Sequence, residues 1–298
     1  MNNRRSFLMT AAGLALAPTL ASKRTLADEA KKTKHTLCVF TKPFNSLSFD
    51  ELADKIAELG FDGIEAPVRK GGHVEPEQVE DRLPELVEAL AKRNLEITVL
   101  TSDINDPNDP LTKRVLRTAA TLGIQRYRMK YFKYDLDLPV ISQIHEWKPQ
   151  LKDLAAINHD FGIRGLYQNH AGRNYMGAAL WDAKIALEGI PVQDIAVAYD
   201  IRHATAEAGM SWPVTFNMIQ PLIDTIYIKD FEWGEKKPTN VPLGEGRVES
   251  NFFKMLKESG FDGPISLHEE YLDHKQPELV PDHLAAIKKD LDVLRSWL

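Results

Sequence analysis

Two short stretches carry the densest chemistry in the chain. Val197-Ala-Tyr-Asp-Ile-Arg-His203 ends an apolar run on a carboxylate and adds a histidine three residues on. Thr225-Ile-Tyr-Ile-Lys-Asp230 ends the next apolar run on a lysine and an acid. Similar endings occur at Glu65, Lys130, Gln168 with His170, and His268 with Glu270. Carboxylates can take a proton from carbon. Imidazoles and lysines can polarise an oxygen that becomes negative in the transition state. A pocket of such groups with few large apolar neighbours suits a small polyhydroxylated ligand, with a divalent ion as an option.

Bringing these residues together requires strands that end at one place. Apolar runs begin at Thr36, Asp62, Leu95, Gln125, Gly162, Ile195, Ile223 and Gly263, and amphipathic helical stretches separate them. Eight β–α units in alternation predict parallel strands with helical crossovers, closed into a single (β/α)8 TIM barrel over residues 36–298. The competing fold is an open doubly wound sheet. The turn after the first strand, Lys42-Pro-Phe-Asn-Ser-Leu-Ser48, lacks the glycines of a dinucleotide-binding loop, so no nucleotide cofactor is expected. Gly-Phe-Asp-Gly at 60–63 and again at 260–263 reads as helix-ending turn chemistry at the end of the barrel away from the site. Alternation within strands turns Asp200, Ser266, His268, Glu270, Tyr227, Lys229, Gln168, Glu65 and Lys130 toward the lumen or its mouth. Trp212 and Trp233 are candidate sugar platforms on or near mouth loops, while Trp147, Trp181 and Trp297 read as core.

Composition narrows the partners. The net charge of −6 opposes nucleic-acid binding, and no run after residue 20 is long enough for stable membrane insertion. One cysteine, Cys38, can form no internal disulfide and reads as a small buried residue. Arg4-Arg5 before the apolar stretch Met9–Ala17 reads as a twin-arginine export signal over 1–27 and predicts a periplasmic protein. Residues 28–35 read as a charged leader. Whether the chain forms a homo-oligomer stays open.

Five segments carry a resemblance to a known family: Gly60–Glu65, Tyr199–His203, Ile226–Asp230, Pro242-Leu-Gly-Glu-Gly246 and Gly260–His268. They resemble the xylose-isomerase-like barrels, a group of sugar (phosphate) isomerases and epimerases that also includes DNA-repair endonucleases. The resemblance implies one divalent ion held by a Glu, an Asp, a His and a second Glu, with the two Glu residues moving a proton between sugar carbons. Carried over by position, the Asp is Asp200, followed by His203. The other positions fall on Gln168, Tyr227 and His268. Gln168 cannot take a proton, so the paired-carboxylate shuttle is altered. A softer set of Gln168, Asp200 and His268 is left for Zn²⁺, Mn²⁺ or Mg²⁺, or a lysine stands in for the ion's charge. The expected protein is an exported sugar isomerase or epimerase acting next to the carbonyl of a sugar or keto-sugar. Glu270 or Glu65 would be base, and His203 and Lys229 would polarise oxygens. Lys130, His170 and Trp233 would contact substrate. The alternatives are a keto-glycoside lyase using the same enolate chemistry and a non-catalytic periplasmic carbohydrate-binding barrel.

Overall fold

The computed structural model describes residues 35–298, so the expected export signal and all of the leader but His35 lie outside the described residues. Eight parallel strands close a barrel: β1 (Leu37–Phe40), β2 (Gly63–Pro67), β3 (Glu96–Thr101), β4 (Arg126–Arg128), β5 (Arg164–Gln168), β6 (Ile195–Asp200), β7 (Ile223–Ile228) and, last in the chain, β10 (Ile265–Leu267). Each pairs with its sequence neighbour, and β10 closes the ring between β7 and β1. The helices outside are α1 (Phe49–Leu59), α2 (Val79–Ala91), α3 (Pro110–Thr121), α4 (Val140–Phe161), α5 (Trp181–Ala186), α6 (Ile201–Ala208), α7 (Trp212–Ile219), α8 (Asn251–Glu258) and α9 (Val280–Trp297). No described helix is long and apolar enough to cross a membrane.

Local chemistry explains the boundaries. Ser48 caps α1 through a reciprocal box with Glu51, worth about 1 kcal/mol, and Gly60 ends it in the left-handed region at φ 80°. The repeated Gly-Phe-Asp-Gly turn does lie at the strand-entry end. A Cβ on Gly63 would come within 2.4 Å of Thr98 Oγ1, and one on Gly263 within 2.1 Å of the Asp224 carbonyl, so both turns need glycine to pack. Alternation fills the lumen with Val99, Leu166, Ala196, Ala198 and Tyr227, while Val197, Tyr199, Ile265 and Leu267 face the helices. Two register shifts, opposite Ile64/Glu65 and Val197/Ala198, insert an extra residue into β3 and β7.

The structure corrects several expectations. The fifth helix is short, Trp181–Ala186. Two helices, α6 and α7, follow β6; they part at Gly209, and Pro213 sits in the first turn of the second. Trp212 is core, packed against Phe252, and Trp181 is the exposed one. An antiparallel hairpin, β8 (Asp230–Trp233) with β9 (Pro238–Val241), follows β7. Its base is fixed by Asp230, whose carboxylate accepts from the backbone N–H groups of Phe231, Gly244, Gly246 and Val248.

Candidate active site

Glu65 forms the floor of the mouth. Fully buried at the end of β2, it accepts from Thr101 Oγ1 at 2.5 Å and from Ser266 Oγ and His268 Nε2 at 2.8 Å each, with Arg128 3.6 Å away. Burial alone would raise its pKa. His268, Arg128 and the hydroxyls outweigh burial and hold the carboxyl at about 2. With its lone pairs occupied, Glu65 orients His268 rather than presenting a free base.

Above it runs a chain of polar contacts from β4, β5 and β6 and the segments just after them. The Arg128 guanidinium, which can only donate, gives a hydrogen bond to Gln168 Oε1 at 2.9 Å, and the Tyr131 hydroxyl donates to the same oxygen at 2.5 Å. Gln168 Nε2 therefore faces Asp200 and donates to Oδ2 at 2.9 Å. Asp200 ends β6 and caps α6 by accepting from the His203 N–H at 3.1 Å. Asn169 clamps the Asp200 backbone from both sides, accepting its N–H at 2.7 Å and donating to its carbonyl at 3.0 Å.

Lys229 places its ammonium 3.3 Å from Asp200 Oδ2 and 2.7 Å from Glu270 Oε2. Burial works against its charge, but the two carboxylates more than restore it and raise its pKa. Glu270 keeps 22% of its side chain exposed and has a second cation, Lys42, at 3.6 Å. Burial would raise its pKa, yet Lys229, His268 and Lys42 hold it well below the usual range. His203 is buried and kept neutral by burial and by Lys229 and its other cationic neighbours. Arg202 donates to its Nδ1 at 3.1 Å, so the ring proton sits on Nε2. That N–H is 3.3 Å from Asp200 Oδ2 but misaligned, and it has no hydrogen-bond partner. His170 packs against His203 with ring centroids 4.2 Å apart and the rings tilted by 36°, and gives its Nδ1 proton to the Ala171 carbonyl at 2.8 Å. Burial and Lys229 lower its pKa to about 4.

The donor set does not fit a divalent ion. Gln168 spends its only ligating oxygen on Arg128 and Tyr131 and turns a donor toward Asp200. His268 engages Glu65 through Nε2, which leaves only its buried, unpartnered Nδ1 to offer an ion. The Lys229 ammonium lies where a cation between Asp200 and Glu270 would lie. Among the described residues no group of three or more His, Cys, Asp or Glu could hold an ion.

The mouth thus brings together Glu65, Gln168, His170, Asp200, His203, Lys229, His268 and Glu270. It does not bring in Lys130 or Trp233. Regular strand geometry stops at Arg128, so Lys130 is exposed and Tyr131 turns inward in its place. Trp233 is 55% exposed on the hairpin, in ring contact with Phe231. Sequence reasoning passed over Arg128, Tyr131, Asn169 and Arg202. Arg128 shares the inward parity of its strand, which was the available signal; Tyr131 and Arg202 carried none.

A model of the family described as xylose isomerase-like TIM barrel matches residues 53–297. No curated protein sequence matches the chain. Among solved structures it is similar to 3-keto-D-glucoside 4-epimerase from E. coli, at 15% identity and TM-score 0.67 over 88% of this chain and 99% of that one. It is also similar to a putative xylose isomerase from Rhodospirillum rubrum, at 16% identity and TM-score 0.68 over 87% and 99%. A probable 3-DHS dehydratase from Bacillus anthracis matches at 16% identity and TM-score 0.64 over 87% and 98%.

Proposed function

We propose that this chain, which belongs to the xylose isomerase-like TIM barrel family, is an enzyme that removes a proton next to the carbonyl of a sugar or keto-sugar. One observation carries the reading: Lys229 bridges Asp200 and Glu270 beside the unspent Nε2–H of buried His203. A carbonyl oxygen resting against these two donors gains stabilisation as it becomes an enolate oxygen. Glu270, the carboxylate of the pair that solvent reaches, accepts the carbon-bound proton. Asp200 touches Lys229, His203 and Gln168 and holds the electrophilic side in place.

Gln168 supports a refinement toward one-base chemistry. The strand position that carries a second carboxylate in the resembling family here carries an amide, so isomerisation on one face or elimination of a leaving group fits better than a two-base exchange. The similarity to an epimerase and to a probable dehydratase supports carbonyl chemistry of this kind. The paired Arg4-Arg5 before an apolar run supports action outside the cytoplasm. Replacing both arginines by lysine should retain the protein in the cytoplasm, and undiminished export would defeat that part.

The test is solvent exchange. A panel of keto-sugars incubated in D₂O with the protein should gain deuterium next to the carbonyl, followed by proton NMR. Asp200→Asn should slow this by on the order of a hundredfold or more. Ligand binding without wash-in across the panel would instead favour the carbohydrate-binding barrel.

A further inference from the structure

The mouth has a second feature that this chemistry does not use. A cavity of about 640 Å³ lies among the turn Lys42–Phe44 after β1, the loop after β2 and the loop after β10. Its charged lining is Lys42, Arg69, Lys70 and Lys275 against a single acid, Asp103; His274 also lines it, with its pKa lowered by burial and by Lys42. The whole chain has 43 acidic and 37 basic residues, so this local excess of cations runs against the overall balance.

Arg69 is the informative residue. Arg93, Arg114, Arg126 and Arg164 each end on a carboxylate. Among the described residues the Arg69 guanidinium has no ion pair and no hydrogen bond; it rests 5.8 Å over the Phe40 ring. Burial, then the nearby charge of Arg128, lowers its pKa. Its loop is built to hold it. Asn45 Nδ2 donates to the Gly71 carbonyl and Gly71 N–H donates to Glu75 Oε1, both at 2.8 Å. Val68 bridges to Val74, and a Cβ on Gly72 would meet the Pro67 carbonyl at 2.5 Å. A half-buried guanidinium held in advance with all five donors unspent is suited to a planar oxyanion.

We propose that this cavity is a subsite for an oxyanion, a carboxylate or a phosphate, carried by the sugar on which the inner site acts, with Arg69 as its principal partner and Lys42 and Lys275 in support. The sugar half of this statement rests on the function proposed above. Lys42 joins the two regions, since it lines the cavity and lies 3.6 Å from Glu270 Oε1. An anion that takes up the Lys42 charge also relieves Glu270 of one of the cations that suppress its basicity.

The experiment is titration calorimetry on the full chain and on Arg69→Gln at low salt, with D-glucuronate, D-glucose 6-phosphate, D-glucose and inorganic phosphate as probes. At least one acidic sugar should bind ten- to hundredfold more tightly than glucose, roughly the worth of a charged hydrogen-bonded contact. Arg69→Gln should abolish that advantage, and about 0.5 M NaCl should weaken it. Preference for glucuronate or for the phosphate ester identifies the anion. Binding of inorganic phosphate without either acidic sugar overturns the substrate assignment. Equal affinities in the two proteins for every probe, including no measurable binding in either, overturn the subsite. The catalytic reading is judged separately by deuterium wash-in and its loss in Asp200→Asn, so either idea can fail alone.

Discussion

Replacing Lys229 by methionine removes the cation that ties the site together. The side chain is 6% exposed and contacts Asp200 at 3.3 Å and Glu270 at 2.7 Å. Removing one partner from such a buried network leaves carboxylates uncompensated and costs about 3–5 kcal/mol of stability. The transition state loses a preorganised donor as well, worth on the order of 10²–10³ in rate. A third effect separates catalysis from mere support. Lys229 is the leading cation that depresses Glu270, so its loss raises the Glu270 pKa. Glu270 must be ionised to act as base, so the acid limb of the pH–rate profile moves to higher pH in Lys229→Met. The assay is the initial rate of deuterium wash-in between about pH 4 and 8, where His and carboxylate groups ordinarily titrate, with circular dichroism to establish folding. A folded variant that exchanges within about threefold of the parent would refute the electrostatic role. A slow variant with an unmoved acid limb would refute Glu270 as base.

Two further outcomes follow from the same network. Wash-in by the parent protein should be unaffected by prolonged chelator treatment, because a covalently attached ammonium holds the position between Asp200 and Glu270; activity lost on chelation and restored by Mn²⁺ or Zn²⁺ would overturn the donor-set argument. Glu65 should make the fold acid-sensitive. Its carboxyl is lowered from 4.5 to about 2, so its contribution, about 3 kcal/mol, is complete above pH 4.5 and lost as pH falls toward 2. Urea midpoints at pH 6 and pH 3 should therefore lie further apart in the parent than in Glu65→Gln, where Glu270 still supplies acid-linked stability; an equal separation in the two proteins would contradict the assignment.

The fold was legible because periodicity and helix ends are local. Ser48 with Glu51, Gly60 and the twin Gly-Phe-Asp-Gly turns mark their own boundaries. Alternation placed Asp200, Lys229, His268 and Glu270 at the mouth, although only Asp200 lies within its strand and the other three follow the last residues of β7 and β10. It failed at Lys130, where β4 stops after three residues and the next inward side chain is Tyr131. The hairpin at 230–241 was hidden for a different reason. Asp230 reads as an ordinary strand-end acid until the chain returns to it and adds three backbone donors to that of Phe231. The choice between ion and ammonium was open in sequence because it depends on which atom of Gln168 faces Asp200, and that is set by Arg128 and Tyr131 from another strand and loop.

The amide at position 168 also bears on stereochemistry. Inverting a carbon beside a carbonyl requires a proton to leave one face and another to arrive from the opposite face. Glu270 accounts for one face. On the other side of Lys229 stand Gln168, which has no acidic proton to give at neutral pH, and His170. His170 already donates its Nδ1 proton to the Ala171 carbonyl, and with a pKa of about 4 it carries no second proton at pH 7. A proton returned by Glu270 re-enters from the face it left, moving between neighbouring carbons or leaving the product altogether through elimination. Products resolved by chiral chromatography should accordingly be aldose–ketose pairs or unsaturated keto-sugars, with no net inversion at the exchanging carbon. Accumulation of the inverted epimer would show that a second acid reaches the substrate and would remove the one-base mechanism.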